Sequence, residues 1–255
     1  MPADLAVQIF LADPARQDQQ DLACAWAALD DEGRARAERL HDARDRQTYV
    51  VAHALLRCVL GRRIGVGVGG LRFWRTPLGR PELDPGRDAA GASPGPCARF
   101  NLSHTRGLVG CAVTATADVG FDLEEAREPA PLEIAPRYFS RRELAELHRL
   151  PPARQTDRFY ALWTFKESYI KGRGLGLAIP LDSFTVEIDS IPRGRARLVV
   201  ENAVAGDDGG AWTLRGWRLE RHAMALAVRA ASDRVRVSLS MDQRIGALFD
   251  RNGRR

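Results

Sequence analysis

Apolar and polar positions follow two rhythms along this chain, and the switches between them outline its elements. Residues 6–12, AVQIFLA, predict an internal strand. Residues 29–64 predict helix, with Val50, Val51, Ala54, Leu55, Cys58 and Val59 forming one apolar stripe. The glycine-rich stretch 61–70 ends it and has no GK[ST] after it, so it is a turn or loop, not a phosphate-cradling loop. Residues 71–75 predict a short strand, after which Pro77, Gly79 and Pro81 enforce a stiff turn that presents Arg75 and Arg80. Residues 84–96 read as a mobile surface loop. Residues 100–102 and 108–115 predict a hairpin, with Asn101, Ser103, His104 and Thr105 at or beside its turn, and 119–123 predict the next strand.

Short helices are expected over 131–138 and 141–150, the second opened by a Ser140/Glu143 capping box. Phe159, Leu162, Trp163, Phe165, Tyr169 and Ile170 then recur at spacings of three, four and seven, an amphipathic helix ended by Gly172, Gly174 and Gly176. Strands are expected over 182–188, 196–200, 212–219 and 223–228, with turns at 192–194 and 205–210 and a frayed tail over 232–255. Strand, long helix and several strands thus occur twice, split near residue 117. The halves share no convincing sequence identity, so this order only suggests an internal duplication. A cleft between such halves would bring the hairpin turn, the acidic strand end and the long helix together.

Composition narrows the class. Hydrophobic residues make up 45% and charged ones 28% of 255 residues, which suits a soluble globular protein. No apolar run reaches membrane-spanning length and the N-terminus lacks a basic start followed by a long apolar core, so the expectation is a cytoplasmic protein with no membrane partner. Cys24, Cys58, Cys97 and Cys111 are scattered singly and read as reduced thiols, not a zinc or disulfide framework. The net charge of +5 calls for an acidic partner or polyanionic ligand. The basic residues are dispersed and not interleaved with aromatics, which weighs against nucleic acid and leaves an anionic cofactor, an acidic protein, or both.

Only two of the 38 basic residues apart from histidine are lysines, Lys166 and Lys171, both in the long helix. A helix sets Trp163, Glu167, Ile170 and Lys171 along one side. One reading is a surface helix with a Glu167–Lys171 pair; the other is a mobile ammonium serving a phosphate beside a carboxylate. In the 119–123 strand, alternation points Asp122 and Glu124 one way while Phe121 and Leu123 face the core. Two such carboxylates are either an ordinary acidic strand end or part of a Mg²⁺ site. Arg44 and Arg57, thirteen residues apart in the predicted helix, are both candidates to face one ligand.

Phe100-Asn101-Leu102-Ser103-His104, Gly120-Phe121-Asp122 and Trp163-Thr164-Phe165-Lys166-Glu167-Ser168-Tyr169-Ile170-Lys171, in that order, make the chain resemble the 4′-phosphopantetheinyl transferases of the larger surfactin-synthetase-activating type. The resemblance spans roughly residues 30–230 and implies an α+β fold of two similar halves in a pseudo-twofold arrangement, with the active site in the cleft between them. The expected division is 1–117 for coenzyme A binding, 118–231 for the metal site and catalytic helix, and a basic tail at 232–255. The implied reaction moves the phosphopantetheine arm of coenzyme A to a serine of an apo acyl, polyketide or peptidyl carrier protein, releasing adenosine 3′,5′-bisphosphate.

By the same resemblance Asp122, Glu124 and Glu167 would hold Mg²⁺, and Lys171 would contact phosphate oxygens. Glu167, or a metal-ordered water, would accept the serine proton. Arg44, the turn of Arg75, Gly79 and Arg80, and Asn101, Ser103 and His104 would bind coenzyme A. Phe121 stands where Ile or Val is usual and Arg80 where Lys is common. A monomer is expected, since one chain supplies both halves. Two other classes compete: a carrier- or coenzyme-A-binding protein that has lost catalysis, and a nucleic-acid-binding domain.

Overall fold

Residues 4–84, 98–189, 194–200, 211–231, 234–241 and 243–250 are described by the structure, a computed structural model. Most of the loop expected over 84–96, Cys97, the turn residues 192–193 and 205–210, and the final residues 251–255 lie outside them. By its contacts the chain divides into two units, Leu5–Thr116 with Arg236–Arg255, and Ala117–Val235 with Met1–Asp4.

In the first unit the chain runs β1 (Leu5–Ala12), α1 (Gln19–Ala28), α2 (Asp31–Glu38), α3 (Ala43–Ile64), β2 (Phe73–Arg75), β3 (Pro81–Leu83), β4 (Arg99–Thr105) and β5 (Leu108–Thr114). Helix therefore starts ten residues earlier than the periodicity predicts and is broken into three pieces. Asp18, Asp30 and Asp42 cap the three N-termini by accepting backbone N–H bonds, and the caps at Asp30 and Asp42 start new helices after α1 and α2 have ended. The α1 sequence QQDLACAWAA buries alanines, whose small contrast with its polar residues hides the stripe. Helix α3 is buried from Tyr49 to Gly61 apart from the partly buried His53, and ends at Gly65, whose φ of 77° a side chain would strain.

The second unit runs β6 (Val119–Glu125), α4 (Ala135–Tyr138), α5 (Arg141–Arg149), α6 (Pro152–Arg173), β7 (Phe184–Ile188), β8 (Arg195–Val200), β9 (Trp212–Leu219) and β10 (His222–Arg229). Its five strands form one sheet in the order β6-β10-β9-β8-β7, with antiparallel neighbours throughout. Both units are thus α+β, each with a 22-residue helix packed on its sheet. The capping box predicted for α5 is present, Ser140 and Glu143 each bonding the other's backbone N–H.

The chain then returns to the first unit as β11 (Val235–Ser240) and α7 (Ile245–Asp250), so the frayed tail expected over 232–255 is corrected. The four-stranded sheet has the order β11-β1-β5-β4. Ile245 and Leu248 are buried in its core, Asp21 accepts the Gly246 N–H at 2.9 Å, and Arg244 pairs with Asp18 and Asp21. Basic composition suggested solvent, but two apolar residues three apart suffice to dock one helical turn. Among the described residues no helix is long and apolar enough to cross a membrane.

Candidate active site

The register of β6 against β10 decides which side of β6 meets α6. Asp122 stands opposite Ala225 and Gly120 opposite Ala227, and these alanines belong to the core that α6 completes. Gly120, Asp122 and Glu124 therefore share the face toward α6, while Phe121 and Leu123 are buried on the other face. Alternation was legible from the sequence, but the assignment of the core to Phe121 and Leu123 alone is corrected, since both faces of this strand are covered.

Close approach of the backbones makes the site. A β-carbon on Gly120 would lie 1.9 Å from the Ser168 carbonyl oxygen and 2.3 Å from the Gly172 nitrogen, so only glycine fits. With α6 drawn in, the Lys171 ammonium donates to Asp122 Oδ1 at 2.5 Å. Asp122 is 2% exposed, whereas the Lys171 side chain keeps 30% of its surface open, so the cluster has an accessible side. Lys171 is thus paired across elements with Asp122, and Glu167, one helical turn away, adds its charge to the same ammonium.

Electrostatics tie the group together. Burial alone would lower the Lys171 pKa, but Asp122, with Glu167 and Glu124, outweighs it and raises the value. Burial and the Asp122 charge push Glu124 up to about 7, against the pull of Lys171 and of the nearby Trp163 side chain. Glu167 is raised by burial and by Asp122, again opposed by Lys171. Three carboxylates thus share one ammonium, and the surplus negative charge is held in a half-buried place. Among the described residues no group of three or more His, Cys, Asp or Glu side chains is placed, as it stands, to hold a metal ion.

The first unit holds the remaining predicted residues, and it sorts them differently from the sequence. Arg44 is exposed in the first turn of α3. Arg57 is 6% exposed, pairs with Asp30 at 3.0 Å and donates to the Val68 and Leu71 carbonyls, so it braces the core and does not join Arg44 at a ligand. Arg75 is exposed and donates to the Gly79 carbonyl across the β2–β3 turn, where Gly79 has a φ of 86°. Arg80 lies 3.1 Å from Glu82, which also holds Arg99.

Asn101, Ser103, His104 and Thr105 are within β4, and the turn is Arg106 and Gly107. Alternation parts them. Phe100 and Leu102 pack into the α3 core and His104 continues that face, its charge acting on His53 of α3, while Asn101 and Ser103 are on the other face. Their expected place at or beside the hairpin turn is corrected to the strand that leads into it.

Residues 118–227 match the family model described as the 4′-phosphopantetheinyl transferase superfamily, and residues 15–116 match the model for the 4′-phosphopantetheinyl transferase N-terminal region. A 4′-phosphopantetheinyl transferase of Bacillus subtilis is 33% identical over 162 residues, 64% of this chain and 67% of the relative. The transferase Sfp of Bacillus subtilis strain 168 is 32% identical over 180 residues, 71% of this chain and 75% of the relative. The transferase HetI of a Nostoc species is 35% identical over 166 residues, 65% of this chain and 68% of the relative. The chain belongs to the 4′-phosphopantetheinyl transferase family of enzymes.

In this transferase two residues had roles that sequence reasoning did not assign. Trp163 stands beside Glu124 and opposes the rise of its pKa, while its ring packs on Phe159 and, edge-on, on Tyr138. Its place in the helix motif was the only signal. Lys166 had a stronger one, as one of two lysines among arginines, yet its side chain is fully buried and pairs with Glu143 at 2.8 Å, away from the carboxylate cluster.

Proposed function

We propose that this enzyme transfers the 4′-phosphopantetheine arm of coenzyme A to a serine hydroxyl of an apo carrier protein, acyl, polyketide or peptidyl, and releases adenosine 3′,5′-bisphosphate. The observation that carries the reading is the Lys171 ammonium set among Asp122, Glu124 and Glu167 on abutting backbones. The serine oxygen attacks the pantetheine-side phosphorus of the pyrophosphate, the bridging P–O bond breaks, and the bridging oxygen leaves with the nucleotide. Such transfers need alignment and charge neutralisation more than covalent assistance.

Lys171 neutralises phosphate oxygens from the accessible side of the cluster, as a mobile point charge able to follow the shifting negative charge. Glu167 accepts the serine proton, or orders a water that does; its raised pKa brings it nearer the working range of a general base. The donor set fits a divalent cation, because three carboxylates against one ammonium leave negative charge that Mg²⁺ would offset. Asp122, Glu124 and Glu167 would hold it. Bound there, Mg²⁺ supplies charge neutralisation at the pyrophosphate.

Coenzyme A binding is assigned to the first unit: Arg44, Arg75, Gly79 and Arg80, with Asn101, Ser103 and His104 on β4. Exposed guanidiniums at Arg44 and Arg75 support that reading, since they are open to anionic ligands. Each half occurs once in the chain, which supports a monomer that needs no second copy to supply a missing half. The test is to mix enzyme, coenzyme A, Mg²⁺ and an apo carrier and follow adenosine 3′,5′-bisphosphate by chromatography. The reading requires nucleotide release that depends on the carrier; carrier-independent release or none, across acyl, polyketide and peptidyl carriers, overturns it.

A further inference from the structure

Lys166 precedes Glu167 by one residue and points elsewhere. Successive helical residues turn by about 100°, which sets Lys166 about 100° around α6 from Glu167 and about 140° from Lys171. Its ammonium donates to the Leu181 carbonyl at 2.7 Å and the Phe184 carbonyl at 2.6 Å, and lies 2.8 Å from Glu143 Oε2. Those three partners match the three N–H donors of an ammonium. Both side chains of the pair are 0% exposed, so neither can touch substrate. Glu143 in turn accepts from the Ser140 N–H and the Val186 N–H, fastening α5 and β7 to the same point.

Two other contacts locate α6. Gly120 admits the Gly172 and Ser168 backbone on one side, and Gly216 of β9 leaves room for the Phe165 ring on another, where a β-carbon would fall 2.6 Å from it. Lys166 is the third point and sits at the far end of the sheet, toward β7. A rotation of α6 by about 10° would carry the tip of a long side chain such as Lys171 by about an ångström, enough to cost a reaction roughly a hundredfold. A planar five-donor guanidinium could not replace the compact ammonium against these two carbonyls and the Glu143 carboxylate, which accounts for lysine at this position in an arginine-rich chain.

We propose that the buried Lys166–Glu143 pair is a positioning element for the transfer reaction, fixing the rotation of α6 and with it the placement of Glu167 and Lys171. The proposal rests on the transferase reading above. The two-lysine composition supplies a readout independent of turnover: enzyme labelled with ¹³C at the lysine ε-carbon and carrying a lysine-free tag shows two signals, and Lys166→Met identifies the one from Lys171. The variants are Lys166→Met, Lys166→Arg and Glu143→Gln, each checked for native near-ultraviolet circular dichroism.

In the folded variants the Lys171 signal is expected to move or broaden, and kcat for carrier modification to fall roughly ten- to a hundredfold with KM for coenzyme A within about threefold. An unmoved Lys171 signal overturns the proposal, and so does an unchanged kcat in a variant whose signal has moved. Should Lys166→Met fail to fold, Glu143→Gln, which keeps both lysines, decides by the same criteria. Absence of transfer by the unaltered enzyme would refute the functional reading, while the Lys171 signal would still decide whether the pair places that residue.

Discussion

Gly120 and Gly172 meet backbone to backbone, so closely that a β-carbon on Gly120 would fall 2.3 Å from the Gly172 nitrogen. This contact brings Lys171 onto Asp122 and makes a site from a strand and a helix that are 49 residues apart at that pair. Neither neighbour of the Gly120 methyl position is a flexible side chain; both are backbone. Gly120→Ala should therefore destabilise the second unit by about 3 kcal/mol or more, beyond the usual overpacking cost of about 1–3 kcal/mol. Denaturant unfolding measures it, and a loss below about 1 kcal/mol would show that the backbones can part easily.

His53 on α3 supplies a pH dependence that belongs to the fold and not to the reaction. Burial, with the positive charges of His104 and Arg36, lowers its pKa from 6.5 to about 4, and its ring packs on Tyr49 at 4.2 Å between centroids. Between those values the unfolded chain binds a proton that the folded chain refuses, so stability rises with pH across this window. Acidification from pH 7 to pH 4 should cost a few kcal/mol through this group, on the order of 1.4 kcal/mol for each tenfold loss of proton affinity on folding. His53→Gln should flatten that part of the pH profile in thermal unfolding; an unchanged slope would remove His53 as its source.

Burial and the neighbouring Asp122 charge push Glu124 up to about 7, so at neutral pH a good share of its molecules carry a proton. A bound cation needs the carboxylate, and binding must release that proton. Titration of the enzyme with Mg²⁺ at about pH 7 should show a heat that depends on the buffer's ionisation enthalpy, with the proton release fading by about pH 8.5. Binding with no buffer dependence at neutral pH would mean that Glu124 is not among the ligands.

Much of the fold was legible because its signals are local. The α5 capping box, the α6 stripe and its glycine stop, and strands β6 to β10 all follow from short-range spacing. What escaped depends on partners distant in sequence. The periodicity of residues 29–64 does not show that helix starts at Gln19, and the basic composition around α7 hides a helix whose N-terminal acceptors, Gln17 and Asp21, lie more than 220 residues earlier.

The site divides in the same way. Alternation placed Asp122 and Glu124 together, yet periodicity alone could not say that their face, and not that of Phe121, meets α6; the β10 register decides it. On β4 the same alternation separates His104 from Asn101 and Ser103, a consequence available from the sequence once the strand, and not the turn, is given those residues. Spacing does part Arg57 from Arg44, since thirteen residues are about 3.6 turns and set them about 140° apart on α3, but what Arg57 braces depends on Asp30 and on the carbonyls of a loop.

The most direct test of the proposed reaction is the intact mass of an apo carrier protein after incubation with coenzyme A, Mg²⁺ and either the unaltered enzyme, Asp122→Ala or Lys171→Ala, with a parallel EDTA arm. The predicted result is a gain of one phosphopantetheine group with the unaltered enzyme. EDTA should abolish the gain, and the two variants should lower its rate by on the order of a hundredfold or more while remaining folded. Modification at near-normal rate by both variants, or in EDTA, would contradict the assignment of the reaction to this carboxylate–ammonium cluster.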